Sequence, residues 1–182
     1  MFNEGEKFES GPEEIPENKE KNLITFRDLR LEDCDDMVRV VNSVVEDGAP
    51  IQRKEKTTRE EWLPVLEKIL DKVEKKEDIC VAAEMNGHVV GWLAGGKTED
   101  AEIATADIFT AILAKEARGF KNFRELAREW LERAQQEWGI KRIITETSNA
   151  NRAKNLYKRM GFVETGKPTT RKDYVELEKY LE

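Results

Sequence analysis

Residues 116–130, EARGFKNFRELAREW, join one glycine, a cluster of positive charge and two phenylalanines at the point where a loop runs into a helix. A helix start presents backbone N–H groups with no partner in the helix, and its dipole favours negative charge, so such a junction can hold a phosphate. Loops that do this are usually rich in glycine, because the backbone must approach the ligand closely. This one keeps only Gly119. Two readings stand at this point: a phosphate cradle that has lost its glycines, or an ordinary turn. Other reactive side chains are sparse. His88, the single histidine, sits beside an Asn86-Gly87 turn and reads as a surface residue. Cys34 and Cys80 have neither metal nor disulfide spacing and read as reduced thiols of a cytoplasmic protein, and no metal is expected.

The elements that must position this junction are legible. Apolar residues recur at helical spacing from Phe123 through Leu126, Ala127, Trp130, Leu131 and Ala134, and Gly139 ends the run. A strand is expected before it over 101–113 and another after it over 140–147. Upstream, 22–29 reads as a strand. A helix follows with Met37, Val40, Val41, Val44 and Val45 on one face, Asp33 as its cap and Gly48 at its end. Thr58 and Glu61 form a capping-box pair for a second helix, whose stripe of Trp62, Val65, Leu66, Ile69, Leu70 and Val73 reads as core, with Pro64 in its first turn. DICVAAEM and HVVGWLAGG flank Asn86-Gly87 as a hairpin. A short helix over NRAKNLYKRM, a possible short strand near Val163 and a closing strand over 173–181 complete the order. Hairpins mixed with strand-helix-strand crossovers imply an α/β fold, a mixed sheet with helices on both faces.

Composition sets limits. A chain of 182 residues suits one domain with a sizeable core, and a formal charge of -7 argues against a broad nucleic-acid footprint. No apolar run approaches the ~20 residues that span a membrane, and the polar start MFNEGEKFES has no secretory pattern, so the cytoplasm is the expected compartment. Residues 1–22 carry seven Glu against three Lys, with two Pro, and are expected to form an acidic flexible tail ahead of a domain over 23–182.

Three stretches resemble the GNAT N-acetyltransferase superfamily: NLYKRMGF (155–162), AAEMNGHVVGWLAG (82–95) and ILAKEARGFKNFRELAREWLERAQQEWGIKRI (112–143). VNSVVEDGAP followed by TTREEW resembles the branch containing phosphinothricin and amino-acid N-acetyltransferases. The resemblance implies a mostly antiparallel sheet whose two central strands splay apart. It implies acetyl-CoA as co-substrate, with its pantetheine arm in the gap and its diphosphate at the helix start. The acceptor would be a primary amine of a small molecule, amino acid or peptide, and a homodimer is possible. In the family loop, Arg/Gln-x-x-Gly-x-Gly/Ala, Arg118 matches the first position, while Lys121 and Phe123 replace small residues. Arg118, Gly119, Phe120, Lys121 and Asn122 are therefore the expected diphosphate contacts. A degenerate relative that keeps the fold as a binding module is the alternative.

The resemblance also assigns chemistry. A carboxylate on the cofactor strand serves as base: Asp107 first, Glu102 second. Tyr157 matches the tyrosine that protonates the leaving thiolate. The family asparagine falls at Ala150, bracketed by Asn149 and Asn151. A backbone N–H near Leu113 is the expected partner of the thioester carbonyl. Residues 48–57 and 164–173 are expected to border the acceptor pocket.

Overall fold

The computed structural model describes residues 23–181 except Pro50, Gln52, Asp100, Ala101 and Thr170. The acidic segment 1–22 lies outside the described residues. Strands β1 (Ile24–Asp28), β2 (Asp78–Met85), β3 (His88–Lys97), β4 (Thr105–Leu113), β5 (Arg142–Ser148), β6 (Val163–Glu164) and β7 (Tyr174–Tyr180) form one sheet in the order β1-β2-β3-β4-β5-β7-β6. Every neighbouring pair is antiparallel except β4 and β5, which are joined by a helical crossover. Helices α1 (Cys34–Glu46), α2 (Arg59–Glu74), α3 (Phe120–Trp138) and α4 (Ala153–Arg159) cover the two faces. Trp92 of β3 packs on Trp62 of α2. Three residues along, and so on the opposite face, a Cβ at Gly95 would come within 2.5 Å of Trp130 of α3. Glycine at 95 thus lets α3 lie tight against the sheet. Tyr157 of α4 meets Phe123 of α3 edge to face, which puts α4 on that same side.

The expected elements are present, with four local corrections. Asp33 takes the N-cap position of α1 but its side chain bonds no α1 amide; its carboxylate instead takes two hydrogen bonds from the Arg27 guanidinium, each 2.8 Å, and one from the Arg30 amide. Pro64 lies in the second turn of α2, because that helix begins at Arg59. The strand expected from 101 begins at Thr105. Of the α2 stripe read as core, Val65 is exposed, while Trp62 is half-buried and packs against the core. The Thr58–Glu61 capping box is formed, with each side chain bonded to the other's backbone amide. Gly48 and Gly139 carry the positive φ, 63° and 61°, that lets the chain leave α1 and α3. The core is filled by Met37, Leu66, Trp92, Leu93, Leu126, Trp130 and Leu177, all but fully buried. Among the described residues no helix is long and apolar enough to cross a membrane.

Candidate active site

The parallel pair β4–β5 is the weak point of the sheet, and the site is built there. The two strands pair from Thr105↔Arg142 to Ile108↔Thr145 and then part. Beyond that point β4 stays with β3 as far as Leu113, while β5 stays with β7 as far as Ser148. A bulge on β4 at Phe109 marks the separation, since Gly95 pairs with Ile108 but Ala94 with Thr110. It also resets which backbone groups face outward. Ile108 turns its carbonyl toward β5, where the Thr145 hydroxyl donates to it at 2.8 Å. At the far end the Ala114 amide donates to the Val90 carbonyl. That ladder makes Leu93↔Ala111 and Gly91↔Leu113 non-hydrogen-bonded pairs, so the N–H groups of Ala111 and Leu113 face the gap left by β5.

A cleft of about 340 Å³ opens through the gap. Its walls come from both faces of the sheet: Val41, Ile51, Arg53, Trp62 and Trp92 on the α1–α2 side, and Asn151, Ala153 and Tyr157 on the α4 side. Ile51 and Arg53 come from the 48–57 loop and Arg171 from the 164–173 segment.

Tyr157 is held between Phe123 and Phe162, each ring 5.2 Å away and edge-on. Burial pushes its phenol up to about 12, the Thr145 hydroxyl pulls the other way, and the charge of Asp107 adds to the rise. The group therefore stays protonated through the neutral range and is a proton donor, not an anion. Asp107 stands on the opposite face of the sheet. Burial, then the carboxylates of Glu146 and Glu176, push it up to about 6, against a smaller pull from Arg171. A carboxylate in that range can take a proton and release it near neutral pH. Glu146 and Glu176 are register partners on β5 and β7 and share one face. Glu146 lines the cleft. Glu102 sits exposed in the bend before β4, and neither it nor Asp107 is among the cleft-lining residues.

The loop into α3 has its own arrangement. Gly119 precedes the helix at φ 150°, a conformation that favours glycine, and no side chain caps the first turn. A Cβ at Gly119 would meet nothing within 4 Å, so it is the φ of 150° and not crowding that favours glycine there. Phe123 turns inward and is 5% exposed, sharing the buried face of α3 with Leu126, Ala127 and Trp130. Its ring leaves the loop clear. Phe120 lies under the Arg159 guanidinium, 3.7 Å from the ring centre, while Lys121 is exposed on the first turn. Arg118 is engaged with the protein: its Nε donates to the Leu113 carbonyl at 3.0 Å and its Nη1 pairs with Asp47 at 2.6 Å. Asn122 donates to the Ala117 carbonyl at 2.9 Å. These two side chains brace the turn against the end of β4. Asn151 lines the cleft while its oxygen accepts the Ala153 amide at the start of α4. Asn149 is exposed and accepts from Lys154.

Thr145, Glu146, Glu176, Arg53 and Arg171 were not singled out from sequence. Thr145 and Glu146 sit in the expected strand 140–147, but which face each takes, and that the neighbouring strand peels away beside them, are matters of pairing. Among the described residues no three His, Cys, Asp or Glu side chains converge closely enough to hold a metal ion.

A mixed seven-stranded sheet opened at its one parallel pair, with a helix start near the end of β4, is an α/β architecture with a cleft through its centre. The chain belongs to the acetyltransferase (GNAT) family, whose model matches residues 38–162. Solved structures agree at the level of fold. A ribosomal-protein-alanine N-acetyltransferase of Brucella melitensis superposes with a TM-score of 0.68 at 21% identity, over 86% of this chain and 99% of that one. The ribosomal-protein-S5-alanine acetyltransferase of Vibrio fischeri gives 0.74 at 14% identity, over 86% and 92%. The PaiA N-acetyltransferase of Thermoplasma acidophilum, solved in complex with coenzyme A, gives 0.67 at 17% identity, over 87% and 99%. No curated protein sequence matches the chain.

Proposed function

We propose that the protein transfers the acetyl group of acetyl-CoA to the primary amine of a small molecule, amino acid or peptide. The observation that carries this reading is the cleft through the sheet, with the free β4 edge along it, Tyr157 and Glu146 on its walls and Asp107 on the same face of the sheet as Glu146. The outward N–H groups of Ala111 and Leu113 suit the amide-bearing pantetheine arm and the thioester carbonyl oxygen. The uncapped first turn of α3, with Gly119 before it and Lys121 beside it, suits the diphosphate. Bound acetyl-CoA supplies the activated acetyl carbon. Asp107, with Glu146 between it and the cleft, draws the proton that frees the acceptor nitrogen. The new C–N bond replaces the C–S bond. Of the two protons the nitrogen loses, one reaches the departing sulfur from Tyr157 and one leaves through the carboxylates.

A non-catalytic role for the fold is favoured by one feature, the commitment of Arg118 to Leu113 and Asp47. Calorimetry with acetyl-CoA separates the two. Binding at a hundredfold excess over Kd stabilises the fold by about 2.7 kcal/mol. Absence of any heat or thermal shift at millimolar acetyl-CoA would overturn the transferase reading.

A further inference from the structure

We propose that Thr145 is a positioning residue of the transfer, a hydroxyl that turns from the Ile108 carbonyl to the Tyr157 oxygen and so holds the phenolate left when Tyr157 gives up its proton; this rests on the acetyl-transfer reading above. Thr145 is the last residue of β5 that pairs with β4. It is 2% exposed and lines the cleft together with Tyr157. Beyond it the two strands part, so the Ile108 carbonyl, turned toward β5, is taken by this side chain at 2.8 Å in place of a backbone amide. A threonine hydroxyl has one proton and two lone pairs. While that proton rests on Ile108, only the lone pairs can face Tyr157, and they suit a phenol that still has its hydrogen.

The surroundings of Tyr157 require such help. Giving a proton to the departing sulfur breaks the phenol O–H bond and forms the S–H bond of free coenzyme A. It leaves a phenolate, which recovers one of the two protons that the nitrogen loses. Tyr157 is 3% exposed, so water solvates that anion poorly. The rings packed against it, Phe123 and Phe162, meet it edge-on and carry no charge. Among the described residues the one charge that acts on the phenol is the negative charge of Asp107, which opposes a second anion. Thr145 is the one side chain that acts in the other direction. Rotation about its Cβ–Oγ bond moves the hydroxyl proton from the Ile108 oxygen to the phenolate. A hydrogen bond to an anion is stronger than one to a neutral carbonyl, so the turn is favourable once the phenol has lost its proton and unfavourable before. Valine has the same shape and packs as well, but has no proton to give.

The experiment uses the full chain with Thr145→Val, Thr145→Ser, Tyr157→Phe and the double variant of Thr145→Val with Tyr157→Phe, each checked for acetyl-CoA binding by calorimetry. Thiol release from acetyl-CoA over a panel of primary amines gives kcat and KM. Thr145→Val should lower kcat by roughly 10–100-fold, the scale of one hydrogen bond to a charged group, with little change in KM for acetyl-CoA. Thr145→Ser should recover most of the rate. In the Tyr157→Phe background Thr145→Val should cost nothing further, since a residue that acts through the phenol has nothing to hold once the hydroxyl is gone. A readout free of turnover is the titration of a fluorinated tyrosine placed at 157, followed by absorbance with and without coenzyme A. Its midpoint should lie about one pH unit or more higher in Thr145→Val than in the parent or in Thr145→Ser, the equivalent of a tenfold loss. A serine variant as slow as the valine variant, losses that multiply in the double variant, or a midpoint that valine leaves unmoved overturns the proposal. If Thr145→Val does not fold, Thr145→Ala takes its place in every arm. If no amine is turned over, the transferase reading fails, and the titration by itself decides whether Thr145 holds the phenolate.

Discussion

Asp107→Asn should make the protein more stable and less active, and both effects should depend on pH. In the folded chain the carboxyl is pushed from 3.8 up to about 6 by burial and by Glu146 and Glu176, with Arg171 opposing. The sign follows from the two states. Below about pH 4 the group is protonated both folded and unfolded and costs nothing. As pH rises from 3.8 through about 6, the unfolded chain ionises first and the folded chain holds an unfavourable charge, so stability falls across that window. A shift of about two units corresponds to a ceiling near 3 kcal/mol. Asp107 is not fully enclosed, and solvent screening lowers this to about 1–2 kcal/mol. The neutral amide avoids the cost. Melting at pH 8 should therefore rise by about 2–8 °C, taking about 2–4 °C per kcal/mol for a domain of this size, with little gain near pH 4. Over the same range kcat/KM for acetyl transfer should fall by about 10²–10⁴, because the base is gone. The wild-type rate should rise with pH through about 6, and Glu146→Gln should move that midpoint downward by removing a like charge. Equal melting gains at pH 4 and pH 8 would refute the carboxylate cluster. A variant within a few-fold of wild-type rate at pH 8 would remove Asp107 from the chemistry.

Tyr157→Phe should lower kcat by about 10²–10⁴ with acetyl-CoA affinity nearly unchanged, since the lost hydroxyl acts on the leaving sulfur; stopped-flow transfer and calorimetry on one preparation would show a wild-type rate if the assignment is wrong. Phe123→Gly should cost about 3–5 kcal/mol for the buried ring plus about 1 for glycine in a helix, read as a lower denaturation midpoint; a variant as stable as wild type would contradict the buried placement. Lys121→Gly should weaken acetyl-CoA binding at low salt, with the gap narrowing as salt screens the exposed charge; unchanged affinity at every ionic strength would detach this stretch from the phosphates. Asp33→Ala should destabilise by about 1–2 kcal/mol, because the partly buried Arg27 guanidinium loses two hydrogen bonds while keeping Glu84; chemical denaturation with no loss would show the pair to be dispensable.

Period and punctuation carried the secondary structure. The 3.6-residue stripes of α1, α2 and α3, the Asn86-Gly87 turn, the Thr58–Glu61 box and the glycines at 48 and 139 each encode their element within a few residues, so a linear reading finds them. The inward turn of Phe123 is legible for the same reason, since it shares a helical face with Leu126 and Trp130. Other features depend on which strand lies beside which. A carboxylate at position 107 is visible in the sequence, but the two others that raise its affinity for a proton arrive from β5 and β7, about 40 and 70 residues later in the chain. A strand's alternation says that Thr145 and Glu146 face opposite ways, and only the parting of β4 from β5 puts one toward Tyr157 and the other into a cleft. The Phe109 bulge shifts the ladder by one residue, and with it the choice of Ala111 and Leu113 as the amides that face the gap. Asp33 and Arg118 make the contrast sharpest. Local rules assign one to a helix cap and the other to a phosphate loop, yet each side chain is drawn into an ion pair, Asp33 with Arg27 and Arg118 with Asp47, because folding brings an opposite charge within reach and partial burial strengthens that attraction.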